Sequence, residues 1–237
     1  MILLCSLIFM CQQSAPAFTT PRVVLSIDGQ HIHSDEINAL VHYYQSYRTD
    51  SKASLIRRAV ATLIPQKLML AELAAEAKLL KEQSSEITRR LENGEDFAEL
   101  VKQYSQDSEA PTADGRYTFA RENTVHPFDL FSFTTAVNAY SPAFITVYGY
   151  HILQPLTFIE SDAAADMQVE VRHILLMYPT MIKLEESGDD VRKYISDKLQ
   201  QAEIVIYEVG LKNILAHDLR DQLIMRRQVA PSAPKVD

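Results

Sequence analysis

The stretch "RVVLSIDGQHIHSDEI" (22–37) alternates apolar and polar positions and is interrupted at Asp28-Gly29. Period-two alternation marks a half-buried strand, and Asp-Gly is a strong hairpin turn. The pattern predicts a small hairpin, then a helix with Ser34 as its N-cap running to about Tyr47. The period then changes. Ile56, Val60, Leu63, Ile64, Leu68, Leu73 and Ala77 recur at helical spacing. Pro65 lies inside this run. It lacks an N–H and crowds the preceding turn, so a kink or a division is expected there. Ser85, Ile87 and Leu91 begin a further helix that stops at Asn93-Gly94. Phe97, Leu100, Val101 and Tyr104 make the next amphipathic set.

The second half reads mostly as strands. "SEAPTADGRY" is a loop, "RYTFA" a strand and "HPFDLFSFTTAV" a short aromatic helix. "SPAFITVYGYHILQPL" gives two strands with a turn at Tyr148-Gly149. The loop "SDAAADMQ" leads to another strand, "VEVRHILLMY". An acidic stretch follows Pro179, then a helix around 189–202, a strand-like "EIVIYEVG" and a last helix around 211–227. The remainder, 227–237, lacks apolar periodicity and reads as a disordered tail. The tripeptide His-Ile-Leu occurs twice, at 151–153 and 173–175, each time inside an apolar strand.

Composition narrows the function classes. A net charge of −8 disfavours nucleic acid and anionic membrane surfaces as partners. The N-terminus has an apolar run from Ile2 to Met10, then Ala15-Pro16-Ala17. This pattern fits a secretory signal at 1–17 cleaved after Ala17. Lipidation at Cys11 and a retained anchor stay open as alternatives. Cys5 and Cys11 are the only cysteines. A cleaved chain would hold no thiol chemistry and no disulfide. His31 and His33, two apart, read as a surface pair and not as metal ligands. No metal and no small-molecule cofactor is expected.

Residues 86–154 resemble a parvulin-type (PpiC/rotamase) peptidyl-prolyl isomerase domain. The resemblance rests on four pieces in order: "RRLENGEDFAELVKQYSQD", "DGRYTF", "HPFDLFSF" and "YSPAFITVYGYHIL". They match the family's helix pair ending in a Ser-x-Asp loop, its glycine turn and strand, its Pro-Phe helix and its last hairpin. Residues 23–80 resemble the helical part that precedes such domains in secreted SurA/PrsA-like foldases. The chain also departs from the pattern. The family's first strand, with its own His-Ile-Leu, precedes the first helix, but "AEAKLLKEQ" stands there. The double glycine is reduced to Asp114-Gly115, and Thr124 falls where a methionine or leucine walls the proline pocket. Tyr148 replaces a small residue. One expectation accounts for the repeated tripeptide: "VRHILLMY" supplies the missing strand from after the domain, pairing 171–176 with 149–153. A strand elsewhere, or the start of a second domain, is the alternative.

The resemblance implies an α+β fold, a small antiparallel sheet flanked by helices, with a helical chaperone-like lobe from both chain ends. It implies an N-terminal helical segment at 18–83, a parvulin-like domain at 84–180 and a C-terminal segment at 181–226. It implies that Phe128 contacts the proline ring with Phe133 behind it, and that Asp107 lies near the substrate carbonyl. Thr146 would join the hydrogen-bond network of His151 and His173, with Thr124 and Tyr148 at the pocket wall. The partners implied are unfolded or proline-containing polypeptides, met in a periplasm or outside the cell. Two functions stay open: a prolyl isomerase and foldase, or a catalytically silent chaperone that keeps the fold to bind extended peptides.

Overall fold

The computed structural model describes residues 21–215 apart from 108, 109, 111 and 113. The expected signal at 1–17 and the tail at 227–237 lie outside the described residues. In chain order the elements are β1 (Val23–Ile27), β2 (Gln30–His33), α1 (Ser34–Gln45), α2 (Lys52–Glu72), α3 (Ala74–Glu92) and α4 (Phe97–Tyr104). Then come β3 (Arg116–Ala120), α5 (Phe128–Thr134), β4 (Phe144–Ile145), β5 (Gly149–Ile159) and β6 (Gln168–Met177). The chain continues through α6 (Pro179–Ser187), α7 (Val191–Gln201), β7 (Ile204–Ile206) and α8 (Val209–Ile214). The α+β class expected from the sequence is the class observed.

The strands form two sheets. In the first, order β2-β1-β7, the expected hairpin turns at Asp28 and Gly29, both with positive φ. On its other edge β1 pairs with β7, Leu25 opposite Ile206. The two ends of the described chain therefore share one sheet. The second sheet has the order β3-β6-β5-β4, with every neighbouring pair antiparallel. Its centre is the hairpin β5–β6, in which His151 faces Leu175 and Leu153 faces His173. Residues directly opposite in an antiparallel pair share a face, and side chains alternate along each strand. Both histidines therefore lie on one face, as diagonal neighbours. That face packs an aromatic cluster that includes Phe119, Phe128 and Phe144. Ile152, Ile174 and Leu176, of opposite parity, join the larger core shared with the helices.

Several helix boundaries differ from the sequence expectation. Ser34 is the first residue of α1, and His33 is the cap. The reason is local. Glu36 Oε2 accepts the His33 N–H (2.9 Å), while Ser34 Oγ accepts from the Arg22 N–H (3.4 Å). Helix α2 runs through Pro65, and the division falls at Leu73 instead. The lost N–H costs one helical bond, which the buried face of Val60, Leu63, Ile64, Leu68 and Met69 outweighs. Helix α3 begins at Ala74 and not near Ser85, because Ala77, Leu80, Ser84, Ile87 and Leu91 form one continuous buried stripe. The expected boundary at 83/84 falls inside this helix. Helix α6 occupies what read as an acidic stretch, with Pro179 at its N-terminus and Met181 buried. The last helix starts at Val209, and its expected extension beyond 215 lies outside the described residues. Among the described residues no helix is long and apolar enough to cross a membrane.

Candidate functional site

Three connections bring the site together on the aromatic-facing side of the β5–β6 hairpin. The first follows α4. Ser105 Oγ accepts from the Leu175 N–H (3.1 Å), the Gln106 N–H donates to the Leu175 carbonyl (2.8 Å) and Gln106 Oε1 accepts from the Met177 N–H (2.9 Å). These bonds lay the 105–107 stretch along β6 and set Asp107 beside His173. The second is Gly115, whose carbonyl accepts from the His173 N–H (3.1 Å). Its φ is +69°, and an added Cβ would stand 2.8 Å from the His173 carbonyl oxygen, so only glycine fits this approach. The third is the β4–β5 turn, where the Thr146 N–H donates to the Gly149 carbonyl (2.9 Å).

The side chains then make one chain of hydrogen bonds. Asp107 Oδ2 lies 2.7 Å from the Tyr117 hydroxyl and 2.8 Å from His173 Nε2. His173 Nδ1 lies 3.4 Å from His151 Nδ1, and His151 Nε2 lies 2.8 Å from Thr146 Oγ1. Thr146 Oγ1 accepts in turn from the Tyr148 N–H (3.1 Å). One assignment of protons satisfies every bond. The carboxylate accepts from Tyr117 and from His173 Nε2–H, which leaves His173 Nδ1 bare to accept from His151 Nδ1–H. His151 Nε2 then accepts the Thr146 hydroxyl proton. Both rings are neutral in this arrangement. Each histidine is only 3% exposed. Burial, then the neighbouring His173, holds the His151 imidazole well below its ordinary pKa of 6.5, while Asp107 works in the opposite direction.

Above the relay is a cavity of about 380 Å³. Val125, Phe128, Leu175 and Met177 give it an apolar lining. The Phe128 ring stands nearly perpendicular to both histidine rings, with centroids 4.9 Å from His173 and 5.5 Å from His151. The turn between α6 and α7 closes another side with Glu185, Asp189, Asp190 and Arg192. Asp107, Thr124, Phe128, Tyr148, His151 and His173 all line this cavity. Thr146 is fully buried behind His151. Phe133 does not line the cavity. It packs near Phe119 (6.2 Å) and Phe158 (6.3 Å), with the Arg121 guanidinium 4.2 Å over its ring. Thr124 Oγ1 is buried without a hydrogen-bond partner.

Sequence reasoning missed several of the lining residues. Leu175 and Met177 could have been found from the two-residue period that starts at His173. Tyr117 lay in a recognised strand, but nothing local to it marks a carboxylate partner. The α6–α7 turn gives no signal at all. Among the described residues no group of three His, Cys, Asp or Glu side chains is placed to hold a metal ion.

Comparison with known proteins agrees with this geometry. Residues 47–157 match the family of the PPIC-type PPIase domain. Strand β6 and its histidine lie beyond the matched residues. The chain is 27% identical over 131 residues to the foldase protein PrsA 3 of Bacillus anthracis, covering 55% of this chain and 45% of that protein. It is 37% identical over 101 residues to the chaperone SurA of Hahella chejuensis, covering 42% and 22%. It is 28% identical over 177 residues to the foldase protein PrsA of a Geobacillus species, covering 74% and 55%. The chain thus spans from about a fifth to just over half of these relatives' lengths. Residues 47–157 thus match a PPIC-type PPIase domain, and the chain is similar over part of its length to the PrsA foldases and the SurA chaperones.

Proposed function

We propose that this protein is a peptidyl-prolyl cis-trans isomerase and foldase acting on unfolded exported polypeptides. The observation that carries the reading is the convergence of Phe128, His151, His173 and Asp107 on one cavity. Rotation about an X-Pro bond faces a barrier of about 18–20 kcal/mol and takes tens of seconds or longer unaided. No bond is broken, so the site needs only to bind the twisted amide better than either planar form. Twisting ends the resonance and takes partial negative charge off the carbonyl oxygen.

The site suits that change in two ways. Phe128, Leu175 and Met177 offer the proline ring an apolar seat. The polar side offers the carboxylate of Asp107 and the His151 imidazole, whose charged form burial disfavours, so it gives the planar amide oxygen little stabilisation. In this reading the histidines move no proton. They hold Asp107 and Thr146 at fixed positions beneath the pocket. Strand β6 serves as the strand that the family places before its first helix, supplied here from after the domain.

The same reading makes 18–83 and 181–226 a helical lobe of chaperone type, joined through the β1–β7 pairing, beside a parvulin-like domain at 84–180. Export is supported by the apolar run Ile2–Met10 followed by Ala15-Pro16-Ala17. A second reading, peptide holding without isomerisation, is favoured by Thr124, whose buried and unpartnered hydroxyl weakens the apolar grip at the pocket wall.

The test is the slow refolding phase of a substrate protein limited by X-Pro isomerisation. Acceleration at substoichiometric concentration is the expected result. Suppressed aggregation with an unchanged slow phase would favour the holding reading instead.

A further inference from the structure

The pocket wall is the stretch 121–129, the link from β3 together with the start of α5, and it carries Thr124, Val125 and Phe128. Its grip comes from outside its own sheet. Tyr44, on α1 and fully buried, places its hydroxyl 2.8 Å from His126 Nε2 and 3.1 Å from Thr62 Oγ1. Gln66, on α2, donates from Nε2 to the His126 carbonyl at 2.6 Å. The other side of the His126 ring abuts Asp129, which is fully buried. Tyr43 adds a longer contact to Asp129 Oδ2 at 3.4 Å. At the far end of the stretch, Glu122 accepts from Tyr47 (3.0 Å), Arg48 (2.8 Å) and Arg58 (3.0 Å). Tyr43 and Tyr44 precede residue 47, where the family match begins.

We propose that Tyr44 and Gln66 are positioning residues for the isomerase pocket, acting through His126 to hold Val125 and Phe128 in the shape that receives proline. The helical lobe is then part of the catalytic unit and not only an appended peptide holder. Alternative arrangements of the wall compete with the one that binds. A connecting loop that carries part of a pocket samples many arrangements unless its polar groups are satisfied in one of them. Tyr44 and Gln66 bond the ring Nε2 and the carbonyl of the same residue, from two different helices. Loss of either bond lets the wall leave its binding-competent arrangement. Affinity falls by the fraction of time the wall is out of place, and saturating peptide pulls it back.

This inference rests on the isomerase reading, so its test has two readouts, of which one is independent of activity. Tyr44→Phe and Gln66→Leu are made in the full chain, with Leu55→Ala as a control. Leu55 is a buried α2 residue about three turns from Gln66. The first readout is hydrogen exchange at the Phe128 amide, which donates to the Val125 carbonyl at 2.9 Å. The second is the concentration dependence of prolyl exchange in a short peptide. Both clamp variants should lose Phe128 protection relative to the β5–β6 amides. If the competent fraction drops to about one fifth, KM rises about five-fold with kcat nearly unchanged. Leu55→Ala should lower Tm without either effect.

Clamp variants that lower Tm but leave Phe128 protection and KM at parental values would overturn the proposal. A parent that accelerates no peptide would sink the isomerase reading. Phe128 protection alone would then decide whether the clamp exists.

Discussion

His151 and His173 sit on adjacent antiparallel strands with their Nδ1 atoms 3.4 Å apart and their ring planes within 11° of each other. Two protonated rings could not occupy this arrangement, because one Nδ1 must accept what the other donates. The pairing therefore excludes the doubly protonated state as well as setting a geometry. It also gives stability a pH dependence.

The sign follows from His151, whose pKa is held well below 6.5 by burial. Below 6.5 the unfolded chain binds a proton that the native His151 refuses. Stability is then complete above 6.5 and declines as the pH falls towards the native value, by up to about 1.4 kcal/mol per pH unit. Urea unfolding at pH 7.5, 6.5 and 5.5 should show this decline. His151→Asn should show a shallower one, since the buried group whose protonation the fold disfavours is gone. Parallel pH profiles for the two proteins would mean that the ring takes up a proton in the fold.

Asp107 accepts from both Tyr117 and His173. Asp107→Ala leaves two donors facing a gap and removes the end of the relay. A destabilisation of about 2 kcal/mol is expected from the unsatisfied groups, read by denaturant melts. The nitrogen NMR signals of both histidines should shift together, because their tautomers are coupled. A shift confined to His173 would show the two rings to be independent.

Gly149 has a φ of 146°, and a methyl group there would land on the Leu176 carbonyl oxygen. Gly149→Ala should therefore cost more than about 3 kcal/mol, through backbone strain and a clash in the central hairpin. Gly29→Ala is the contrast. It sits in open space at φ +79°, so it carries the conformational cost without the clash and should lose only about 1 kcal/mol. Thermal melts of the two variants give the ordering directly.

Phe128→Ala should destabilise by about 3 kcal/mol through the cavity it leaves among Phe119, Phe144 and the two histidines. Phe133→Leu, away from the cavity, should cost less and leave peptide affinity alone. A change in peptide affinity in Phe133→Leu equal to that in Phe128→Ala would contradict the placement of the pocket.

The features legible in the sequence were those with a local period. The hairpin at Asp28-Gly29 and the strand at 149–159 follow from alternation, and α4 follows from its amphipathic spacing. The pairing of 149–153 with 171–176 was legible because a repeated His-Ile-Leu in two apolar runs asks for a common environment, and the roughly 17 residues between them allow the chain to turn back. The strands run longer than expected, and the turn between them is shorter. What escaped was non-local or masked. Helix α6 hides behind its own acidic residues. The β1–β7 pairing and the Tyr44–His126 bond join positions far apart in the chain, the latter separated by 82 residues. No local periodicity records such a contact. For a related reason Pro65 does not divide α2, since a propensity is a local preference and the buried face of α2 is a tertiary fact.

The central claim is that the cavity over His151 and His173 turns X-Pro bonds. Its most direct test is NMR exchange spectroscopy of cis and trans signals in an Ala-x-Pro peptide series, with the parent chain and with Phe128→Ala and His151→Ala. The account predicts faster exchange with the parent and a loss of that acceleration in both variants. Peptide binding seen as line broadening, with an exchange rate equal to that of free peptide, would contradict it and leave a fold that holds peptides without turning them.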